Sequence, residues 1–353
     1  MQEYFKNKKV LITGHTGFKG SWLSLWMSML GAKVYGVSIS IPTNPSHFEL
    51  LNLNIKNDIR IDIYDSKKIA EIISKIKPDY IFHLAAQPLV ALSYQNPLET
   101  FQTNVIGTAN LLNALRNLKN QCIAVIITSD KSYDNLEISR GYHEDDKLGG
   151  SDPYSGSKGA AELVINSYTK SFFSESNIRI GVGRAGNVIG GGDWAKNRII
   201  PDAIRSIENE QNLIIRSPDA TRPWQHVLEP LSGYISLAIN LKKSNHNNGQ
   251  AFNFGPSSKD DYTVQDVLIE LKKTIKKLNW KVEKSNNFKE SNLLKLDCNK
   301  ALHLLNWTST LNFKKTISYT SLWYLEYLNR SENLKALSKK QILEFDELRK
   351  NKN

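Results

Sequence analysis

A segment near the start of the chain constrains the fold most, because it combines a strand, a glycine turn and a helix in that order. Residues 10–13 are a short apolar run typical of a buried strand. Gly14, Gly17 and Gly20 follow with the spacing Gly-x-x-Gly-x-x-Gly, and apolar residues then recur at helical spacing. Glycines there let the backbone approach a pyrophosphate, and the helix offers its positive N-terminus. The segment predicts a dinucleotide-binding crossover.

The rest of the first half repeats the alternation of strand and helix. Strands are predicted at 32–37, 59–62, 80–84, 124–128, 178–182 and 251–254, and helices at about 65–76, 98–118 and 152–173. This alternation predicts a Rossmann-type doubly wound parallel sheet with right-handed crossovers. Such sheets bind ligands beyond the carboxyl ends of their strands, where Gly14, Asp62, residues 84–86 and Ser129 all fall.

The length of 353 residues indicates two domains, because one core seldom organises so many. After residue 183 the regular alternation is lost, and short elements separated by proline and glycine predict a smaller, discontinuous α/β substrate-binding domain. The expected division is 1–183 and 224–255 for the dinucleotide-binding domain, 184–223 and 256–335 for the substrate-binding domain, and 336–353 for a charged C-terminal helix and tail.

Composition limits the class of partner. The net charge of +11 favours anionic partners such as nucleotides, but no basic stripe interleaved with aromatics indicates nucleic acid. Cys122 and Cys298 are far apart, which fits a reducing compartment and predicts no metal site. Neither a signal peptide nor an apolar run of membrane-spanning length is recognised, so we expect a cytoplasmic protein without a membrane partner.

Three residues suit the oxidation of an alcohol by a nicotinamide. Tyr154 and Lys158 are spaced to share one helix face, one turn apart, and Ser129 follows an apolar strand. A cation that close to a phenol favours the phenolate, so we expect the pKa of Tyr154 to be lowered enough for it to act as a base. Ser129 would hold a substrate oxygen near that phenol.

Asp130 and Lys131 add an acid and a possible base beside the redox residues, which predicts an elimination coupled to the hydride step. A 4-epimerase or 4-reductase would need Ser129, Tyr154 and Lys158 but not this pair. A non-catalytic, nucleotide-sensing protein of the same fold commonly lacks the tyrosine and lysine. Product analysis separates these alternatives, since an epimerase makes no keto sugar.

The adenosine end of the expected cofactor site departs from the usual pattern. No acidic residue follows the second strand, and Ser40 occupies the position where a carboxylate would bind the ribose. NAD is favoured over NADP because no arginine lies in this stretch, while His15 and Lys19 leave NADP open. Asp62 is either an adenine ligand or a turn residue at the end of a strand.

Over about residues 8–324 the chain resembles the sugar-nucleotide 4,6-dehydratases, a group of extended short-chain dehydrogenase/reductases. The strings that carry the resemblance are 13–23 (TGHTGFKGSWL), 83–90 (HLAAQPLV), 128–133 (TSDKSY), 184–194 (RAGNVIGGGDW) and 222–227 (RPWQHV). The resemblance implies oxidation at C4 of the sugar, loss of water across C5 and C6, and return of the hydride to C6. The Asp-Lys pair is similar to that of the branch that acts on CDP-glucose, which supplies deoxysugars for surface polysaccharide such as O-antigen.

Site residues follow from the resemblance by position. It implies that NAD contacts Gly14, His15, Thr16, Gly17, Phe18, Lys19, Gly20, Ser40, Asp62, Ile63, Leu84, Ala85, Ala86, Asn104, Thr128, Tyr154 and Lys158. It implies that the nucleotide sugar contacts Gln87, Ser129, Asn187, Arg198 and Arg222, although Arg222 and Trp224 could instead pack between domains. Relatives also imply a homodimer or tetramer formed through helices 98–118 and 152–173.

Lys131 is the least certain member of the site, because many related dehydratases have a glutamate at this position. A lysine has a reference pKa of about 10.4 and must be neutral to accept a proton. Whether Lys131 is the base at C5 or an electrostatic partner of Asp130 is left open. His83, Trp22 and Trp26 are interpreted as core residues.

Overall fold

A computed structural model describes residues 1–53, 55, 57–256, 261–283 and 294–352. Segments 257–260 and 284–293 of the expected second domain, and the terminal residue 353, lie outside the described residues. The strands are β1 Lys9–Thr13, β2 Lys33–Ser38, β3 Asp58–Arg60, β4 Tyr80–His83, β5 Cys122–Ile127, β6 Ile178–Ala185, β7 Val188–Ile189, β8 Leu213–Ile215, β9 Thr221–Arg222, β10 Gln225–His226, β11 Ala251–Phe254, β12 Tyr262–Thr263 and β13 Trp280–Val282.

The helices alternate with these strands through the first half of the chain and dominate the end of it. They are α1 Gln2–Phe5, α2 Phe18–Met29, α3 His47–Leu50, α4 Ser66–Ile76, α5 Val90–Gln95, α6 Pro97–Phe101, α7 Gly107–Leu115, α8 Pro153–Tyr168, α9 Ile199–Glu208, α10 Leu228–Lys243, α11 Val264–Thr274, α12 Asn299–Leu305, α13 Phe313–Leu328 and α14 Leu334–Lys352.

Seven strands form one sheet in the order β11-β6-β5-β4-β1-β2-β3, and each neighbouring pair is parallel. This order confirms the predicted Rossmann-type doubly wound sheet, with its switch point between β1 and β4. Thr13 lies opposite both Val37 and His83, so β1, β2 and β4 end at the same level. The residues that follow these strands therefore meet at one edge.

Each face of the sheet carries its own apolar core. Within β1, Val10 and Ile12 belong to the core beneath α2 and α10, whereas Leu11 belongs to the core beneath α4, α7 and α8. This alternation is what a strand buried on both faces requires. The predicted core residues Trp22 and Trp26 of α2 are buried in the first of these cores.

Three boundaries differ from the predictions in ways that affect the site. The third strand ends at Arg60, so Asp62 lies beyond it. The helix expected over 98–118 ends at Leu115, and Gln102–Ile106 within it forms a π-helical turn. The helix expected over 152–173 begins at Pro153, with a π-helical last turn at Thr169–Phe173. π-helical turns depend on local hydrogen bonding that apolar periodicity does not reveal.

The region after β6 adds three short two-stranded pairings, β7 with β10, β8 with β13 and β9 with β12. Between them, β11 returns to the main sheet beside β6, and the core beneath α2 continues into α9, α11 and α13. The division into two domains stays a prediction. Among the helices that the structure describes, none combines the length and apolarity needed to cross a bilayer.

Candidate active site

The glycine turn between β1 and α2 leaves room only for backbone. Gly14 has φ +73°, and a Cβ there would lie 2.8 Å from the Ala85 nitrogen. A Cβ on Gly20 would overlap the Gly14 carbonyl oxygen. Gly17 caps the N-terminus of α2, whose first residues are Phe18 and Lys19. These features are those of a cradle in which backbone amides can approach a pyrophosphate.

The side chains of the same turn are largely bonded within the protein. The buried His15 ring contacts Ser38 Oγ through Nδ1 (2.9 Å) and Asp58 Oδ1 through Nε2 (3.0 Å). Burial lowers the pKa of His15 despite the nearby Asp58. Thr16 Oγ1 donates to the Ser40 carbonyl oxygen at 2.7 Å, while Ser40 itself is exposed. The His15 ring thus joins the turn to β2 and β3, a structural role that the sequence analysis did not assign.

The residues expected around the adenosine lie at the same edge of the sheet. Asp62 is exposed, and its carboxylate accepts a hydrogen bond from the Tyr64 nitrogen at 2.9 Å, as a turn residue does. Ile63 is buried against the position of Gly107. Leu84, Ala85 and Ala86 follow β4, and all three are partly buried beside the glycine turn. Their contacts with a cofactor stay predictions.

The structure brings the predicted redox and elimination residues together. Ser129 caps the short 3-10 turn Asp130–Ser132 and donates to Asp130 Oδ1 at 2.9 Å. Tyr154, in the first turn of α8, hydrogen-bonds to Ser129, and the charge of Asp130 acts on it. Lys158 lies one turn further along α8, and all four of the residues Ser129, Asp130, Tyr154 and Lys158 are buried.

The electrostatics of this group differ from the expectation in one respect. We expected a lowered pKa for Tyr154, but in the protein alone burial raises it to about 12, against the hydrogen bond with Ser129 and the charge of Arg198. Burial also lowers the pKa of Lys158 to about 8 and raises that of Asp130. Desolvation disfavours charged forms, and here it outweighs the neighbouring charges. In the protein alone, burial therefore favours the neutral phenol of Tyr154.

Asn104 connects the loop after β4 to the catalytic helix. It lies in the π-helical turn, and its amide nitrogen donates to Ser157 Oγ on α8 at 2.8 Å. Its amide oxygen accepts from the Gln87 nitrogen at 2.8 Å. The Gln87 side chain is itself bonded to Thr100 and Leu89, so it supports the loop. A contact between Gln87 and substrate stays a prediction.

Two further cations point to the same region. Burial lowers the pKa of Lys19 to about 8, and the charges of Arg198, Asp130 and Lys158 also act on it. Arg198 precedes α9, donates to Asp193 Oδ2 at 2.8 Å and acts on Tyr154. The sequence assigned Lys19 to the cofactor and Arg198 to the substrate. Because their charges act on one another and on the redox residues, this region would attract an anion.

The other predicted substrate residues lie on separate elements. Asn187 is partly buried in the turn between β6 and β7, one residue after Gly186, which leaves space for the Asp130 carboxylate. Arg222 ends β9, pairs in register with Tyr262 of β12 and donates to the Thr221 carbonyl oxygen at 2.7 Å. A diphosphate contact by Arg222 stays a prediction.

Two interior features complete the site. His83, expected to be a core residue, is buried between Thr13 (2.7 Å from Nδ1) and Thr108 (3.2 Å from Nε2). Thr128 Oγ1 donates at 2.6 Å to Glu162, which forms a buried ion pair with Arg184. The sequence analysis gave neither Glu162 nor Arg184 a role. The spacing of Glu162 four residues after Lys158, on the same helix face, was the available signal.

Comparisons with known proteins agree with this architecture. Residues 11–320 match the model of the family described as GDP-mannose 4,6 dehydratase. The chain is 46% identical to the CDP-glucose 4,6-dehydratase of Salmonella typhimurium over 98% of both chains.

Solved structures share the fold. The epimerase Mth375 from Methanothermobacter thermautotrophicus has a TM-score of 0.79 at 22% identity, over 93% of this chain and 95% of that one. The UDP-glucose 4-epimerase from Brucella ovis in complex with NAD has a TM-score of 0.76 at 19% identity, over 90% and 98%. With a dinucleotide cradle, a buried tyrosine–lysine–serine group and a family match that spans most of its length, the chain belongs to the GDP-mannose 4,6-dehydratase family.

Proposed function

We propose that this chain is a CDP-glucose 4,6-dehydratase, a hydro-lyase that converts CDP-D-glucose to CDP-4-dehydro-6-deoxy-D-glucose and water. The observation that carries the proposal is the buried acid Asp130, hydrogen-bonded to Ser129 and beside Tyr154. An epimerase needs no such acid. The Salmonella relative of that name, 46% identical over nearly the full length, supports the choice of nucleotide sugar.

NAD is the cofactor that the site fits. Related structures are described in complex with NAD, and the Gly14, Gly17 and Gly20 cradle would overlap any added Cβ at two of its three positions. When bound, NAD would supply a hydride acceptor for oxidation at C4, a positive charge in the site and a hydride donor for reduction at C6. No arginine lies between the end of β2 and the start of β3, the stretch in which the sequence analysis looked for a ligand of the 2′-phosphate of NADP.

Each residue of the group then has a defined task. Tyr154, hydrogen-bonded to Ser129, accepts the proton of the C4 hydroxyl as a phenolate that Lys158 stabilises, and it becomes a neutral phenol. With substrate bound, the Ser129 hydroxyl would turn its single hydrogen from Asp130 Oδ1 to the C4 oxygen and keep that oxygen in place. Burial raises the pKa of Asp130, which favours the protonated carboxyl that would donate to the C6 hydroxyl as that group leaves as water. The C5 proton must go to a separate base.

Lys131 is our candidate for that base, since its charge acts directly on Asp130. Lys131→Ala should retain oxidation at C4 but lose exchange of the C5 hydrogen with deuterium from D₂O. The matched control is Lys147→Ala, which removes an exposed lysine paired with Asp134. Unchanged exchange in Lys131→Ala would assign Lys131 an electrostatic role and leave the base to another group.

One assay separates the proposed activity from its alternatives. We expect turnover of CDP-glucose to exceed that of dTDP-, UDP- and GDP-glucose, with product detected by the alkaline absorbance of the 4-keto sugar. A different preferred nucleotide would indicate another 4,6-dehydratase. Interconversion of the glucose and galactose forms without a keto product would instead indicate a 4-epimerase.

The assembly that we propose is a homodimer or a tetramer built on it. Apolar side chains that a monomer would leave in water cluster on α5, α6, α8 and the two π-helical turns: Tyr94, Leu98, Phe101, Ile106, Leu163 and Phe172. Such a patch marks an interface. Leu163→Glu should shift the sedimentation coefficient toward that of a monomer, while the same change at the isolated Leu136 should not. We also propose that the enzyme acts in the cytoplasm and supplies deoxysugars for O-antigen. The two-domain division given above is part of the same proposal.

A further inference from the structure

A buried ion pair lies directly behind the catalytic residues. Arg184 Nε donates to Glu162 Oε1 at 2.8 Å and Nη2 donates to Oε2, and both side chains are only 4% exposed. Such a bidentate pair holds two charges in one fixed geometry. A buried pair gains little stability over apolar side chains of similar volume. Its position beside the reacting groups therefore suggests a further role.

The pair connects several of the segments that carry the site. Glu162 lies one turn after Lys158 on α8 and accepts a hydrogen bond from Thr128, the residue before Ser129. Arg184, at the end of β6, donates from Nη1 to Tyr133 Oη at 2.6 Å, just after the turn that holds Asp130. Tyr133 donates in turn to Asn253 of β11 at 2.8 Å. A displacement of Glu162 would therefore be transmitted to α8 and to the ends of β5 and β6.

We propose that Glu162 is a positioning residue that keeps Lys158 cationic and fixes Ser129 through Thr128, with Arg184 setting how much of its negative charge Lys158 experiences. The inference rests on the proposed function, because it assigns Lys158 a task in oxidation at C4. Burial lowers the pKa of Lys158, and Glu162 is the charge that opposes this. Without Glu162, the ammonium would lose its proton at lower pH.

Other charged groups also face these residues and are considered in the test. Lys158 is near His83 from β4 and Lys19 from α2. Burial lowers the pKa of His83 to about 3, so this ring stays neutral throughout the assay. Lys19 has a pKa of about 8 and titrates in the same range, but it is present in every variant. Around Arg184, the further titratable groups are Tyr133, Glu144 and Lys300.

The test compares the pH dependence of single-turnover C4 oxidation in three variants. Glu162→Gln keeps the shape but removes the charge, and it leaves Arg184 uncompensated. The alkaline limb of the profile is the fall in rate at high pH, where Lys158 loses its proton. We expect the midpoint of this limb to lie about one pH unit lower in Glu162→Gln than in the wild type. Glu162→Asp keeps the charge, so its limb should stay near that of the wild type even if its rate falls. Glu162→Gln with Arg184→Met removes both charges, so its limb should stay below that of the wild type but move less than in Glu162→Gln, where the Arg184 charge is uncompensated.

A purely structural role predicts a different pattern, in which all variants are slower and none shifts its limb. That outcome, or an equal shift in Glu162→Asp, would overturn the inference. Thermal unfolding checks each variant, and Glu162→Gln alone decides if the double variant does not fold. Glu229→Gln, which alters another buried carboxylate, should leave the limb unmoved. A wild type without turnover would contradict the proposed function, whereas an active wild type with an unmoved Glu162→Gln limb contradicts only this inference.

Discussion

At the ends of β1 and β2, the edge of the sheet consists of a glycine turn and of side chains that are hydrogen-bonded within the protein. At the end of β5, the same edge carries buried side chains that can gain or lose protons. The first region, residues 14–20 and 38–40, is shaped by the space that its glycines leave. The second, residues 128–131 with Tyr154 and Lys158, contains buried groups whose pKa values burial has moved. We call them the cofactor region and the reaction region.

The contrast shows that cofactor binding and catalysis can depend on different parts of the same sheet edge. Steric clearance and backbone amides determine how tightly a cofactor binds and do not titrate; Lys19 is the exception in this region, since burial lowers its pKa to about 8. Buried acids and bases determine rate and its dependence on pH. Substitutions should therefore affect cofactor affinity in the first region, and rate with its pH profile in the second.

The largest effect is expected for Tyr154→Phe, which removes the proton acceptor of the reaction region. Oxidation at C4 should fall by about 10²–10⁴-fold, measured in a single turnover, while cofactor affinity changes little. Tyr234→Phe is the matched control, since this buried hydroxyl has no hydrogen-bond partner among the described residues. An equal loss of C4 oxidation rate in both variants would show that disturbed packing, and not the missing proton acceptor, causes the effect.

Asp130→Asn should divide the reaction into its two steps. An amide cannot donate the proton that the leaving hydroxyl needs, so loss of water should slow by about 10²–10³-fold. Oxidation at C4 should continue. The 4-keto intermediate that still carries its C6 hydroxyl should therefore accumulate on the protein. Mass spectrometry after a rapid quench measures it. Oxidation and water loss that slow to the same extent would contradict separate tasks for Asp130 and Tyr154.

Gly20→Ala tests the cofactor region, because the new methyl group would overlap the Gly14 carbonyl oxygen. Overpacking of this kind costs about 1–3 kcal/mol, so we expect NAD to bind about ten- to a hundredfold more weakly by calorimetry. The pH profile at saturating NAD should be unchanged. Gly156→Ala is the control, since its Cβ would make only ordinary contact, 3.7 Å from Phe101. A changed pH profile in Gly20→Ala would contradict the claim that the cofactor region affects affinity and not the pH dependence of the rate.

The smallest effect on rate is expected at Glu229, a buried carboxylate outside both regions. It accepts hydrogen bonds from the Thr310 and Leu311 nitrogens, and burial raises its pKa from 4.5 to about 7. As pH rises through this range, the unfolded chain loses its proton first, so the native state becomes less stable, by roughly 3 kcal/mol.

Urea unfolding between pH 5 and pH 8 measures this dependence on Glu229. In Glu229→Gln that part of the pH dependence should disappear, with the turnover rate unchanged. An undiminished slope in the variant would assign the dependence to other groups and would remove Glu229 as a reference for the reaction region.

The sequence predicted the sheet because strands buried on both faces are continuous apolar runs, and all seven of its strands were located. It also placed Tyr154 and Lys158 one turn apart, since their spacing in a helix fixes that geometry, and it placed Ser129 at the carboxyl end of β5; the roles of these residues stay predictions. The partnership of Glu162 with Arg184 was missed because it joins a helix to a strand 22 residues away. The pKa of Tyr154 was predicted in the wrong direction, because burial is a property of the folded chain.

The central claim is that one hydride leaves C4 and returns to C6 of the same sugar. The most direct test is turnover of CDP-glucose that carries deuterium at C4, in ordinary water, with the product analysed by NMR and mass spectrometry. The account predicts that the deuterium is recovered at C6 of the 4-keto-6-deoxy product. Deuterium that is lost to solvent, or that remains at C4, would contradict it.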